Sequence, residues 1–320
     1  MIIIEAENLK KNYNGFTAVN GVSFHINQGE IFGFLGPNGA GKTTTINMLT
    51  GLARITGGRV KLLGDDYTRN ARKAQAMMGI VPDESNLYEE LSGRDNLIFC
   101  GALYGMQKSL REERADQLLK QFDLVDAAGK PFKAFSKGMK RKLTIAAGII
   151  HQPEILFLDE PTTGIDVASA RQIRNLIVDL NRRGTTIFLT THYIEEAERL
   201  CGRLAFIVRG KIVREGNVEE LMTEAQGENT VHFSLGGDFS CIEGDFKPAF
   251  PDYGIKMIDN SGVSIKSAHS FTLLPLVSFF EEQGFPVYEA RIVRPSLEEV
   301  FVKVTGIEIK KMQSQKEGSQ

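Results

Sequence analysis

Cysteine is scarce: three of 320 residues, Cys100, Cys201 and Cys241, lie far apart with no Cys-x-x-Cys spacing. That argues against a zinc or disulfide framework and fits a reducing compartment. Long apolar runs are missing too, since none approaches the roughly 18–20 residues that span a bilayer. The opening run MIIIEAENLKK is charged and alternating, unlike a signal peptide with its basic start and small-residue cleavage site. Any membrane role is expected to leave the crossing to another chain. Net charge is close to absent as well, with 38 Lys and Arg against 40 Asp and Glu. Nothing in that balance draws the chain globally to nucleic acid or an anionic membrane.

What is there is an ordinary globular chain, long enough for two domains at roughly 100–200 residues each. No internal repeat is evident. Residues 1–66 read as short strands ending in a sharp unit: EIFGFLG as strand, PNGAG as loop, KTTTINMLTGL as helix. Residues 69–150 read as mainly helical, with breaks at Gly79, Pro82, Gly129 and Pro131. From Pro153 the pattern is α/β: strand EILFLDE, helix VASARQIRNLIVDLNRRG, strand TTIFLTTH, helix IEEAERLC, then a hairpin turning near Arg209–Gly210. Composition turns polar around Glu224–Asn229, which sets the expected boundary of a first domain over 1–225. A small α+β domain over 226–306 follows, then a polar, disordered tail over 307–320.

The stretch GPNGAGKT, Gly36 to Thr43, fits G-x-x-x-x-G-K-[ST] between a strand and a helix, the context that motif requires. Gly36, Gly39 and Gly41 permit positive φ and close backbone approach, so that N–H groups face phosphate oxygens. The helix starting near Lys42 adds its N-terminal partial charge. Lys42 suits the β- and γ-phosphates, and the Thr43 hydroxyl suits Mg²⁺. Later, ILFLDEP places Asp159 and Glu160 at the carboxyl end of a buried strand, where open parallel sheets bind ligands. Asp159 suits Mg²⁺, and Glu160 can orient or deprotonate a water attacking the γ-phosphate. No Asn-Lys-x-Asp box appears, which counts against a GTPase.

The order of the remaining pieces narrows the field. FSKGM precedes Asp159 by about twenty residues, TTGID follows Glu160, and TTH ends the next strand at His192. Over residues 1–220 the sequence resembles an ATP-binding cassette ATPase, whose signature Leu-Ser-Gly-Gly-Gln falls on Phe135–Met139. The resemblance implies an α/β P-loop NTPase cassette, a RecA-like core with an antiparallel β subdomain and a helical subdomain over about 85–150. It implies ATP and Mg²⁺ as ligands, with Gly36, Pro37, Asn38, Gly39, Ala40, Gly41, Lys42, Thr43 and Thr44 around the phosphates. It further implies Tyr13 as the aromatic that stacks on adenine and His192 as the switch histidine. Glu160, His192 and Lys42 would carry the chemistry; Thr43, Asp159 and Asp83 would face the metal. Ser136, Lys137, Gly138 and the D-loop Asp166 would face ATP on another subunit. Because that signature acts across subunits and this chain has one P-loop, a second copy or a related cassette is required.

Three positions depart from the family pattern. Asp83 stands where the family has a glutamine that contacts Mg²⁺ and senses the permease; it can coordinate the metal or act as an ordinary loop acid. Lys137 replaces the first signature glycine and Met139 the glutamine, and Lys137 either reaches phosphate or points to solvent. The basic run Lys140–Lys142 reads as a solvated helix face rather than a nucleic-acid patch. The ending PSLEEVFVKVTG and the signature FSKGMKRKL resemble the bacterial subfamily of daunorubicin-type drug resistance. The expected function is therefore the ATPase subunit of a small-molecule, drug or ion exporter. It would sit on the cytoplasmic face of the cell membrane, with residues 85–130 receiving a separate permease. A soluble cassette acting on nucleic acid or ribosomes is the alternative, but no Cys-x-x-Cys hook, second cassette or basic extension supports it. A non-hydrolysing nucleotide-dependent regulator is the third reading, opposed by Glu160 and His192. The small C-terminal domain is open between dimerisation, regulation and a structural role.

Overall fold

A computed structural model describes residues 1–69, 71–225, 229–237, 242–259, 262–268, 272–293 and 296–307. Cys241, the centre of the expected boundary at 226–228, and the expected tail beyond residue 307 lie outside them. Two compact units are present, one over Met1–Val218 together with the described residues from Val304, and one over Glu219–Lys303.

The first unit is organised by a six-stranded sheet. Its spatial order is Lys211–Asn217, Arg203–Val208, Ile31–Leu35, Thr186–Thr191, Ile155–Asp159, Met78–Val81. All neighbours run parallel except the hairpin Arg203–Val208/Lys211–Asn217. Ile31–Leu35, Ile155–Asp159 and Thr186–Thr191 are buried at every residue. That is why they read as continuous apolar runs: a central parallel strand is covered on both faces. Register brings the carboxyl ends level, with Leu35 opposite Thr191, Thr190 opposite Asp159 and Leu158 opposite Val81. The segments after those strands therefore emerge along one edge, the position an open α/β sheet uses for ligands.

The strand Met78–Val81 corrects the helical reading of 69–150. Only four residues, Met-Gly-Ile-Val, stand before Pro82, too few for a period to declare itself. A Cβ at Gly79 would strike the Gly148 carbonyl, so this edge strand packs directly on a helix. Helices Gly93–Leu103, Lys108–Gln121 and Lys137–Gly148 make up most of the rest of that region. Ser92 caps the first of them by accepting from the Asp95 N–H.

A second sheet orders Phe16–Asn27, Ile2–Tyr13, Gly57–Leu62 and Asp65–Asp66, all antiparallel. It shares a core with the parallel sheet through Phe24, Phe32, Phe34 and Phe188, with Phe24 and Phe34 centroids 4.9 Å apart. Truncating such a ring to alanine costs about 3–5 kcal/mol. The hairpin Ile2–Tyr13/Phe16–Asn27 turns on Asn14 and Gly15, both at positive φ, and pairs Tyr13 with Phe16.

Between the helices Val218–Ala225 and Leu297–Thr305, the second unit runs strand–helix–strand–strand–helix–strand: Asn229–Leu235, Ile242–Ala249, Gly254–Asp259, Gly262–Ser267, Leu273–Glu282, Val287–Val293. Its antiparallel sheet orders the second, third, first and fourth of these strands, the split-βαβ, ferredoxin-like arrangement. Val231, Phe233 and Leu235 alternate into a core with Phe246, Leu276 and Phe280. The helix Ile242–Ala249 and strand Gly254–Asp259 are absent from the sequence reading. The helix carries Pro248 near its end, which masks its period.

Candidate nucleotide-binding and hydrolysis site

The loop after Ile31–Leu35 is held from two sides: the Gly36 N–H donates to the Thr191 carbonyl at 3.3 Å, and the Gly210 N–H to the Ala40 carbonyl at 2.9 Å. Positive φ occurs at Gly39 (76°) and Gly41 (102°). Gly36 has no such φ; it is there for approach alone, because a Cβ would collide with the Ile207 carbonyl. Gly41 takes the N-cap position of the helix Lys42–Leu49, with Ala18 O only 2.6 Å from where its Cβ would sit. Lys42 turns back into the loop, donating to Gly36 O (2.7 Å) and Pro37 O (3.2 Å). Thr43 is exposed beside it and Thr44 half-buried.

One strand along, Thr190 holds both acidic positions. Its hydroxyl donates to Asp159 Oδ1, and its carbonyl accepts the Glu160 N–H at 3.1 Å. Glu160 has φ 50°, a left-handed backbone that costs a non-glycine residue on the order of 1–3 kcal/mol and clusters at functional sites. Its Oε2 accepts from His192 Nδ1 (2.8 Å) and Thr163 Oγ1 (3.0 Å). Its Oε1 lies 3.1 Å from Lys42 Nζ, buried and without an aligned hydrogen bond. Burial pushes the Glu160 carboxyl up, but the His192 hydrogen bond and the Lys42 charge outweigh it and hold it below the ordinary 4.5. An ionised Glu160 accepts, so the shared proton sits on His192 Nδ1. The result is a buried, charged base with Oε2 fixed by His192 and Thr163 and Oε1 facing the Lys42 ammonium.

An open groove brings together Tyr13, Asn38, Gly39, Gly41, Lys42, Thr43, Thr44, Asp83 and Glu160. Phe16, which sequence reasoning passed over, lines it beside Tyr13. The Lys11 ammonium sits 4.6 Å from the centre of the Tyr13 ring. Asp83 comes from the exposed loop that follows Met78–Val81.

Ser136, Lys137, Gly138 and Asp166 do not line that groove. They form a second group at two adjoining helix starts, those of Lys137–Gly148 and Val167–Arg182. Ser136 accepts from the Met139 N–H and Asp166 from the Ser169 N–H, each capping its helix. A Cβ at Gly138 would collide with the Ser169 side chain, so this glycine seats one helix start on the other. Lys137 is exposed, as is Val167 at 84%.

The basic run departs from expectation. Arg141 and Lys142 are buried, 7% and 8% exposed, and Lys140 Nζ lies 5.3 Å from the Phe132 ring centre. Arg141 spans Pro82, Asp83, Asp159 and Pro161 through their carbonyls. The signal was helical spacing: Gly138, Arg141 and Ile145 share one buried stripe, and the charges masked it. Thr162 donating to buried Glu196 at 2.7 Å was also missed. Burial pushes the Glu196 carboxyl above its ordinary 4.5, and Glu160 adds to that.

Residues 19–163 match the family described as ABC transporter. Linearmycin resistance ATP-binding protein LnrL of Bacillus subtilis (strain 168) is 33% identical, covering 95% of this chain and 98% of its own length. Daunorubicin/doxorubicin resistance ATP-binding protein DrrA of Streptomyces peucetius is 36% identical over 95% and 92%. The Nod factor export ATP-binding protein I of Paraburkholderia xenovorans (strain LB400) is 36% identical over 96% and 98%. Among solved structures, a dimeric post-hydrolysis state of the cassette MJ0796 bound to ADP and Pi superposes with TM-score 0.63. It is 25% identical and covers 67% of this chain and 98% of that one. Likeness at a third of all positions across almost the whole chain leads to one conclusion: the chain belongs to the ABC transporter family and is one of its ATP-binding ATPases.

Proposed function

We propose that the chain is the ATPase subunit of an exporter, acting as a dimer on separate permease subunits at the cytoplasmic face of the membrane. The observation that carries the chemistry is the Lys42–Glu160–His192 cluster, where a buried base has one oxygen fixed by His192 and Thr163 and the other paired only with the lysine that would turn to phosphate. The names of relatives matched over nearly their whole length, resistance and export proteins alike, support a small molecule or drug as cargo, more than an ion. Among the described residues no helix is long and apolar enough to cross a membrane, consistent with a separate permease.

In this reading the Gly36–Thr44 loop and the start of helix Lys42–Leu49 bind the phosphates through N–H groups. Lys42 exchanges the Gly36 and Pro37 carbonyls for phosphate oxygens. Tyr13, its ring beside the Lys11 cation, stacks on the base, with Phe16 beside it. Glu160 takes a proton from the attacking water at Oε1, while Oε2 stays held by His192 and Thr163. His192 thereby fixes the base and, by family resemblance, senses the γ-phosphate.

Mg²⁺ fits the donor set, because a threonine hydroxyl and carboxylates are the hard oxygen ligands it prefers alongside phosphate. Thr43, Asp159 and Asp83 would hold it, and it would neutralise charge on the β- and γ-phosphates. Ser136, Lys137, Gly138 and Asp166 lie apart from the groove, which supports their acting on ATP bound by a second subunit. The ferredoxin-like unit would serve dimerisation or regulation.

The test is reconstitution of the chain with the permease encoded beside it, in vesicles supplied with Mg-ATP. Expected are ATP-dependent movement of a hydrophobic drug and a rise in ATPase rate on assembly. ATPase activity that is indifferent to every such permease would sink the exporter reading.

A further inference from the structure

Arg141 lies outside the groove, yet it is the side chain through which the groove's two acidic segments are tied. Its guanidinium donates four hydrogen bonds, all to backbone carbonyls. Nη2 reaches Asp159 O at 2.6 Å and Nε reaches Pro161 O at 2.9 Å. Nη1 reaches Pro82 O at 2.5 Å and Asp83 O at 3.1 Å. The first pair brackets Glu160, the residue with the left-handed backbone. The second pair holds the loop that carries Asp83. Burial works against the guanidinium's charge, while the carboxylates of Asp83, Asp159, Glu196 and Glu160 work for it. A rigid planar fork can address two separate segments at once; a lysine ammonium in its place has no such geometry.

We propose that Arg141 is a positioning residue that locks the Asp83 loop to the Asp159–Pro161 segment, so that moving the loop re-aims Glu160. Arg141 sits five residues beyond Ser136, so the same side chain roots the signature helix to both segments. Under the functional reading above, the Asp83 loop is where a permease is sensed, and Arg141 is how that displacement reaches the base. Arg141 does not touch the reacting atoms; it acts through the backbone on either side of Glu160.

Arg141→Lys keeps the buried charge but loses the fork. Its expected effect is a fall in kcat of about 10²-fold, the scale of a 1 Å misplacement, with ATP affinity within about threefold of wild type. A near-normal kcat in Arg141→Lys would overturn the proposal. So would a lowered melting temperature with turnover per folded chain unchanged, the mark of a purely structural arginine.

Pro82→Gly provides a check that leaves Arg141 intact, since it keeps the acceptor carbonyl but loosens the backbone presenting it. Backbone amides at Glu160 and Thr162–Gly164 should then exchange several-fold faster. Unchanged exchange there contradicts the lock. Wild-type turnover of Mg-ATP, measured in parallel, keeps these outcomes separate from the nucleotide reading itself.

Discussion

Gly36–Thr43 and Phe135–Lys142 are both glycine-bearing approaches to a helix start, and they resolve their charges in opposite ways. In the first, the lysine folds inward onto its own loop and onto Glu160, so its contacts all lie within one chain. In the second, the cap Ser136 and Lys137 face out, while the arginine three residues past Gly138 turns in and ties the catalytic backbone together. Under the proposed function, one helix start holds the nucleotide of its own chain and the other meets the nucleotide of a second subunit. Phosphate chemistry can be read from either stretch, but only burial tells which residues face the ligand and which hold the frame.

The comparison can be broken most severely at Glu160. Glu160→Gln removes the base but keeps its shape, and kcat should fall by about 10²–10⁴-fold with ATP still bound. Turnover near wild type would remove Glu160 from the chemistry. Lys42→Ala strips the inward-facing cation; ATP affinity should drop on the order of 10–100-fold in equilibrium titration. If affinity is untouched, the assignment of the Gly36–Thr43 loop to phosphate is wrong. Tyr13→Ala should raise KM for ATP about tenfold while kcat holds, as loss of one stacking platform predicts. A kcat effect without a KM effect would place Tyr13 elsewhere.

The smallest effect concerns the frame. Glu196 has its pKa raised in the folded chain, so the native state binds a proton that the unfolded chain has released. Stability therefore falls as pH rises from about the ordinary 4.5 through the raised folded value. Glu196→Gln removes that slope: the variant should melt higher than wild type at pH 8, with the gap closing below pH 4.5. A gap independent of pH would contradict the buried-acid assignment.

Much of this was legible from short stretches. GPNGAGKT, LDEP and TTH each combine a buried strand with a polar end, and parallel register brings those ends to one edge. Sequence could not separate close approach from positive φ at Gly36, since glycine serves both. It could not show that Arg141 is internal, because a basic triplet on a helix is ordinarily solvated and the carbonyls that receive it come from segments 18 to 59 residues away. Met78–Val81 was too short to show a period. In the second unit, which carries no chemical motif, three elements went unread: the helix Val218–Ala225, the helix Ile242–Ala249 with its Pro248, and the six-residue strand Gly254–Asp259.

In the proposed dimer, the Ser136 helix start completes a site on the other subunit. Light scattering of Glu160→Gln with Mg-ATP, compared with the same chain also carrying Ser136→Arg, tests it directly. The first should reach twice the mass of one chain; the second should bind ATP equally well and remain at the mass of one. Equal dimerisation of both, or none in either despite bound ATP, would contradict the account.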